Sequence, residues 1–224
     1  MHNTSLTEEE LAALSTTTKL RSSSNPGPTS EVENEADEPV HSSLIELHRL
    51  FAGTMSSTLS GLVECEASVR QGRQAKSTYS RFVLGQPIPT CCAVVRSGAT
   101  DLQFYLTMQP TILYPLMDRM LGCKQSDPIP QRPITEIESG LALILLRQVV
   151  AEYGKAWQQA LSLDLRVDRI AYNANQLAVL PGSEETYAAR YEVSMRHDFG
   201  HIEICLPWAA TRQIRQRLAT SQGS

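Results

Sequence analysis

Residues 101–160 constrain the fold most tightly, because a strand, a short helix and a long helix can all be read there in succession. Leu102, Phe104, Leu106 and Met108 alternate with Asp101, Gln103 and Thr107, the period-two pattern of a strand with one buried face. Pro110 ends it. Ile112, Leu113, Leu116, Met117, Met120 and Leu121 then recur three and four apart, one stripe of a short helix with Pro115 in its first turn. Gly122 stops that helix, since glycine accepts the left-handed conformation of a helix end. A proline-bearing loop follows to Pro133. Thr135 and Glu138 then form a capping box, each side chain meeting the other residue's backbone N–H. Behind it Leu141, Ile144, Leu145, Gln148, Val149, Glu152 and Trp157 predict a stripe that packs on a sheet. The loop between the two helices is the exposed part of an apolar unit, the kind of place where binding concentrates.

Charge divides the chain. Residues 1–42 hold eight carboxylates against Lys19 and Arg21, a net of −6, whereas 43–224 hold 18 basic and 16 acidic groups, a net of +2. The −6 tail predicts disorder, and no concentrated basic face for nucleic acid is visible. No uncharged apolar run reaches about 18 residues and no secretion signal opens the chain, so an intracellular protein is expected. Cys65, Cys91, Cys92, Cys123 and Cys205 include no C-x-x-C pair, which argues against a disulfide framework and for small core residues.

In the order of the chain, NTSLTEEELAAL at 3–14 carries capping residues, acids in the first turn and an apolar edge of Leu6, Leu11 and Leu14. A helix this short needs a partner to hold it. Residues 15–42 form an acidic linker. Leu44, Leu47, Phe51, Met55, Leu59 and Leu62 predict a helix over 43–62 whose other face carries Glu46, His48 and Arg49. Strands are predicted over 63–70, 78–84, 90–96 and 102–108. After the long helix, strands are expected near 163–170 and 177–180. A hairpin over 186–206 and a helix from Pro207 to Leu218 complete the domain. The two halves repeat one order of elements, and Pro110 with Leu121 is echoed by Pro207 with Leu218. Strand parity before the two prolines differs by one residue. The expected fold is therefore a pseudo-twofold α/β domain, helices over a mixed, mostly antiparallel sheet, over residues 43–220 with 221–224 as a tail.

Catalytic signatures such as G-x-x-x-x-G-K-[ST], G-x-G-x-x-G, G-x-S-x-G and H-E-x-x-H are absent. His197 and His201 are four apart, but in a hairpin that spacing gives no shared helical face. Glu136 and Glu138 are explained by capping and the helix dipole. Arg212, Arg215 and Arg217 sit near the end of a last helix, where positive charge is favoured. No cofactor and no metal is expected.

The stretches LHRLFAGTMSSTLSGL, YSRFVLGQPIPTC, LMDRMLGC, ITEIE, and NANQLAVLPGSEE with IEICLPW resemble, in order and spacing, the middle domain of the FliM family of flagellar motor switch proteins. SLTEEELAAL resembles the family's N-terminal peptide, which binds the phosphorylated response regulator CheY. The resemblance covers residues 5–14 and 43–218. It implies a three-layer α/β/α fold shared with the CheC and CheX phosphatases, and a place in the cytoplasmic ring at the flagellar basal body, on the inner face of the cell membrane. There, neighbouring FliM copies stand side by side, touch the rotor protein FliG and receive CheY in chemotaxis. By the same resemblance residues 1–14 are the docking peptide, with Leu6, Glu9, Leu11 and Leu14 meeting CheY. Leu121, Gly122, Cys123, Lys124 and Gln125 form the turn that meets FliG, where the family has Gly-Gly-x-Gly and this chain keeps only the first glycine. Family members continue into a FliN-like domain, whereas this sequence ends at Ser224, so FliN or a separate FliN-like chain is an expected partner.

Two other functions share features with this sequence. A CheC-type phosphatase resembles [D/S]-x-x-x-E-x-x-N-x-x-x-N on a helix. Ser42 and Glu46 fit its first half, but Arg49 stands at the first Asn and Ala52 or Gly53 at the second. A type III secretion sorting-platform protein of related fold is the non-enzymatic alternative.

Overall fold

A computed structural model describes residues 38–124, 128–130, 132–158, 162–177 and 180–212. The tail, with the helix expected at 3–14, and residues 213–224 lie outside them. The elements are α1 (Glu38–Val63), β1 (Ala67–Thr78), α2 (Tyr79–Leu84), β2 (Cys91–Ser97), β3 (Gln103–Met108), α3 (Pro110–Met120) and α4 (Glu136–Trp157), followed by β4 (Leu165–Ala171), a 3₁₀ turn (Ala174–Leu177), β5 (Glu185–Met195) and β6 (Asp198–Pro207). Residues 208–212 then begin a further helix, α5.

The six strands form one sheet in the order β1-β5-β6-β3-β2-β4. Every pairing among the described residues is antiparallel, so the expected parallel component is not found among them. Exchanging β1 with β4, β2 with β5 and β3 with β6 reverses the order into itself, which is the expected pseudo-twofold. Its axis passes between β3 and β6, where Leu106 lies opposite Ile204, 98 residues on. The same offset relates Glu38 to Glu136, Ala67 to Leu165 and Pro110 to residue 208, the first residues of matched elements. The two prolines are thus not equivalent. Pro110 opens a helix, whereas Pro207 is the last residue of a strand, which removes the one-residue parity mismatch. Because α3 begins at Pro110, Pro115 lies inside the helix, beyond the first turn expected for it.

Alternate side chains of each strand reach opposite faces. One face, with Val95, Phe104, Leu106, Met108, Tyr191, Val193, Ile202 and Ile204, buries the stripe of α1 and the inner faces of α3 and α4 in the main core. Leu44, Leu47, Phe51, Met55 and Leu59 are all buried there, as their spacing predicts. His48 is not on the polar face of α1 but fully buried, hydrogen-bonded to the Tyr191 hydroxyl. An aromatic cluster surrounds it: Phe51 meets Tyr191 edge-on at 4.8 Å and Tyr153 at 5.3 Å, and Tyr153 meets Trp157 at 5.7 Å. On α4, Leu146, Val150 and Tyr153 are buried while Ile144 and Gln148 are exposed, so the buried stripe is rotated from the predicted one.

The opposite face carries a thinner layer. Tyr79 and Phe82 of α2 and Ala174 and Leu177 of the 3₁₀ turn cover Cys92, Val94, Tyr105 and Cys205. The first was expected as a strand over 78–84, and the strand expected over 177–180 overlaps the 3₁₀ turn only at Leu177; each segment curls so that two apolar residues three apart reach the sheet. The hydroxyls of Tyr79 and Tyr105 both donate to the Leu177 carbonyl, at 3.0 and 2.7 Å. Burial pushes the Cys92 and Cys205 thiols up to about 12, so both behave as small apolar residues.

Candidate docking surface

The segment between α3 and α4 is held at both ends. At the end of α3 the Gly122 N–H donates to the Arg119 carbonyl and the Cys123 N–H to the Asp118 carbonyl, each at 2.9 Å. Gly122 has φ +85°. Those two bonds with a left-handed residue make a Schellman ending, which satisfies carbonyls that the helix cannot. A side chain at Gly122 would meet open space, so its backbone conformation, not crowding, demands glycine.

At the start of α4 the capping box is present as the sequence predicts. The Thr135 backbone N–H donates to Glu138 at 2.7 Å, and the Glu138 N–H donates to the Thr135 hydroxyl at 3.3 Å. Sequence spacing did not reveal a third member. Arg132 forks the same carboxylate with two N–H donors, each at 2.8 Å. The paired fork holds the Glu138 carboxyl down at about 2, chiefly through Arg132 and, against the opposing effect of burial, through Thr135. Because that value lies below the ordinary 4.5, the clamp's contribution to stability is fully present above about pH 4.5 and is lost as pH falls toward 2. Glu138→Gln should therefore lower the urea midpoint at pH 7, and its deficit against wild type should shrink steadily between pH 4.5 and 2. A deficit constant over that range would show that the charge is not what holds the clamp.

Between these anchors Leu121, Gly122, Cys123 and Lys124 are all exposed; Gln125 lies outside the described residues. Met120, Ile129 and Ile134 are tucked against the main core. Ile137, which the sequence gave no reason to single out, is 78% exposed in the first turn of α4. Leu6, Glu9, Leu11 and Leu14 lie outside the described residues, so only the turn can be placed.

On α1 the carboxylate of the phosphatase-like pattern is engaged locally. Arg49 donates to Glu46 through Nε at 2.8 Å and Nη2 at 2.5 Å, and the Arg49 hydrogen bond lowers the Glu46 pKa. A carboxylate so paired is poorly placed to orient a water. His197 is exposed in the β5–β6 turn, and His201 faces Glu203 at 3.9 Å. Among the described residues no group of His, Cys, Asp and Glu could hold a metal ion, and no helix is long and apolar enough to cross a membrane.

The profile described as "Flagellar motor switch protein FliM" matches residues 39–222. The Treponema pallidum flagellar motor switch protein FliM is 23% identical over 174 residues, 78% of this chain and 51% of that protein. The chain spans about half the length of the curated relatives it matches. Among solved structures, the FliM middle domain from H. pylori superposes with a TM-score of 0.72 at 22% identity, covering 83% of this chain and 99% of that one. A FliG–FliM complex from H. pylori gives 0.71 at 24% identity, covering 78% and 94%.

Proposed function

This chain belongs to the family of the flagellar motor switch protein FliM, and we propose that it acts by binding, as a switch-ring subunit that couples CheY to FliG. The observation that carries the FliG assignment is the turn at Leu121–Lys124, anchored by backbone bonds at one end and by the Arg132–Glu138–Thr135 clamp at the other, with its side chains in solvent. A turn whose start is fixed by backbone hydrogen bonds has less freedom to lose on docking. The structural neighbour solved as a FliG–FliM complex supports the same partner. Phosphorylated CheY is assigned to Leu6, Glu9, Leu11 and Leu14, the leucines burying an apolar edge and the acid meeting basic groups. Folding on binding keeps such an affinity modest and the signal reversible. The subunit sits in the cytoplasm at the basal body, beside further copies that meet it through the outer surfaces of α1 and α4. FliN or a FliN-like chain completes the ring. The Arg49–Glu46 pair favours this role over acyl-phosphate hydrolysis.

The test is calorimetric titration of the full chain with the FliG middle domain and, separately, with phosphorylated CheY. Saturable micromolar binding to FliG is expected, weakened by Gly122→Val, because a left-handed non-glycine residue costs roughly 1–2 kcal/mol. Leu11→Asp should abolish CheY binding and leave FliG binding intact. No FliG binding at high micromolar protein would overturn the first assignment, and equal CheY affinity of Leu11→Asp and wild type the second.

A further inference from the structure

We propose that the free edge of β4 takes an added strand, an extended segment of a partner in which apolar and acidic residues alternate. The sheet ends in β1 on one side and β4 on the other, and the pseudo-twofold allows the two edges to be compared position by position. On the β1 edge, α1 closes the first stretch. The Ser56 hydroxyl accepts from the Val69 N–H at 2.8 Å and lies 3.2 Å from the Val69 carbonyl. One turn on, the Ser60 hydroxyl accepts from the Ala67 N–H at 3.0 Å and lies 3.1 Å from the Ala67 carbonyl. The offset between the halves carries Ser56 and Ser60 to Gly154 and Gln158, and Ala67 and Val69 to Leu165 and Val167. Gly154 has no side chain to offer, and among the described residues no side chain bonds the backbone of Leu165 or Val167. Asp164 accepts from the Gly98 N–H at 2.7 Å and Arg166 stands opposite Arg96, so these two positions face β2. The alternation of an antiparallel ladder then turns the N–H and C=O groups of Leu165 and Val167 outward.

The side chains along this edge determine what the added strand must carry. On one face Leu165, Val167 and Ile170 pack against the main core but stay partly open, so apolar residues at alternate positions of the partner would continue that layer. On the other face Arg96 and Arg166 lie directly across from each other, a like-charge pairing that costs stability unless an anion intervenes. Three guanidiniums share two carboxylates there: Asp168 meets Arg96 at 3.1 Å and Arg169 at 3.5 Å, and Asp164 meets Arg166 at 2.7 Å. A carboxylate on the added strand beside Arg166 would balance the third. In strand addition the backbone bonds give affinity and the alternate side chains give specificity. A bulge follows Val167, so the ladder is short and the affinity modest.

The experiment is an NMR titration of the full chain with an acetylated, amidated peptide of about eight residues alternating Val and Glu, and with its Val-Lys counterpart. Expected are saturable shifts and slowed amide exchange at Leu165 and Val167, neither at Ala67 and Val69, and binding of the lysine peptide that is weaker by about tenfold or more. Gly154→Ser combined with Gln158→Ser copies the α1 closure onto α4. A Cβ at Gly154 would stand 3.8 Å from the Leu165 side chain, an ordinary contact, so the variant should melt like wild type and bind the glutamate peptide about tenfold or more weakly. Should it fail to fold, Arg166→Glu decides, since that side chain is 76% exposed and its reversal should make the lysine peptide the better ligand. No binding of the glutamate peptide, equal binding of the two peptides, shifts confined to residues outside β4, or undiminished binding by the folded serine variant would overturn the proposal.

Discussion

Trp157→Ala is expected to bring the domain close to unfolding, with a loss of about 3–5 kcal/mol against a total of roughly 5–15 kcal/mol for a protein of ordinary stability. Trp157 is 1% exposed in the last turn of α4 and closes the aromatic cluster against Tyr153 and, edge-on at 6.4 Å, His48. Removing the indole empties the junction where α1 and α4 meet the sheet, and the rigid neighbours cannot collapse into the gap. His48 would then lose one wall of a site in which it is wholly shielded from water. Urea denaturation followed by circular dichroism measures the loss; a change below about 1 kcal/mol would mean that the cluster is not the keystone that its burial indicates.

The second large effect runs against local preference. Gly200→Val places a residue that favours strands into strand β6, yet should destabilise by about 3 kcal/mol or more. A Cβ at Gly200 would lie 2.7 Å from the Thr111 hydroxyl and 2.8 Å from the Ile112 Cβ. Ile112 is fully buried at the start of α3, so the helix itself must move. Because Leu121 and Gly122 follow directly on α3, FliG binding should weaken along with stability. A valine variant as stable as wild type would show that α3 shifts freely and that the turn is not held by its packing on β6.

Local chemistry was legible in the sequence, and long-range choices were not. The Thr135–Glu138 box, the Gly122 stop and the β2 and β3 patterns each depend on neighbours a few residues away, and each is found. Tyr79–Leu84 is rich in residues that favour strands, and only the apolar hollow over Cys92, Val94 and Tyr105, built from distant strands, turns it into a helix. His48 reads as polar surface until Tyr191, 143 residues away, supplies its partner. Ile144 fits the predicted stripe, but the packing of α4 rotates it outward. At the docking surface, glycine loss in the turn was visible, whereas the Arg132 fork and the exposure of Ile137 were not. Spacing cannot say which of several isoleucines the core leaves out.

The strand order means that neither half of the repeat owns a finished sheet. Each half makes one hairpin, β2–β3 or β5–β6, and lends its remaining strand to the other: β1 lies against β5, and β4 against β2. The halves are clasped like crossed hands, so separating them requires stripping both lent strands as well as the central seam. A twisting load on the α3–α4 segment therefore passes into both lobes at once, through ladders of backbone hydrogen bonds, with no swivel between them.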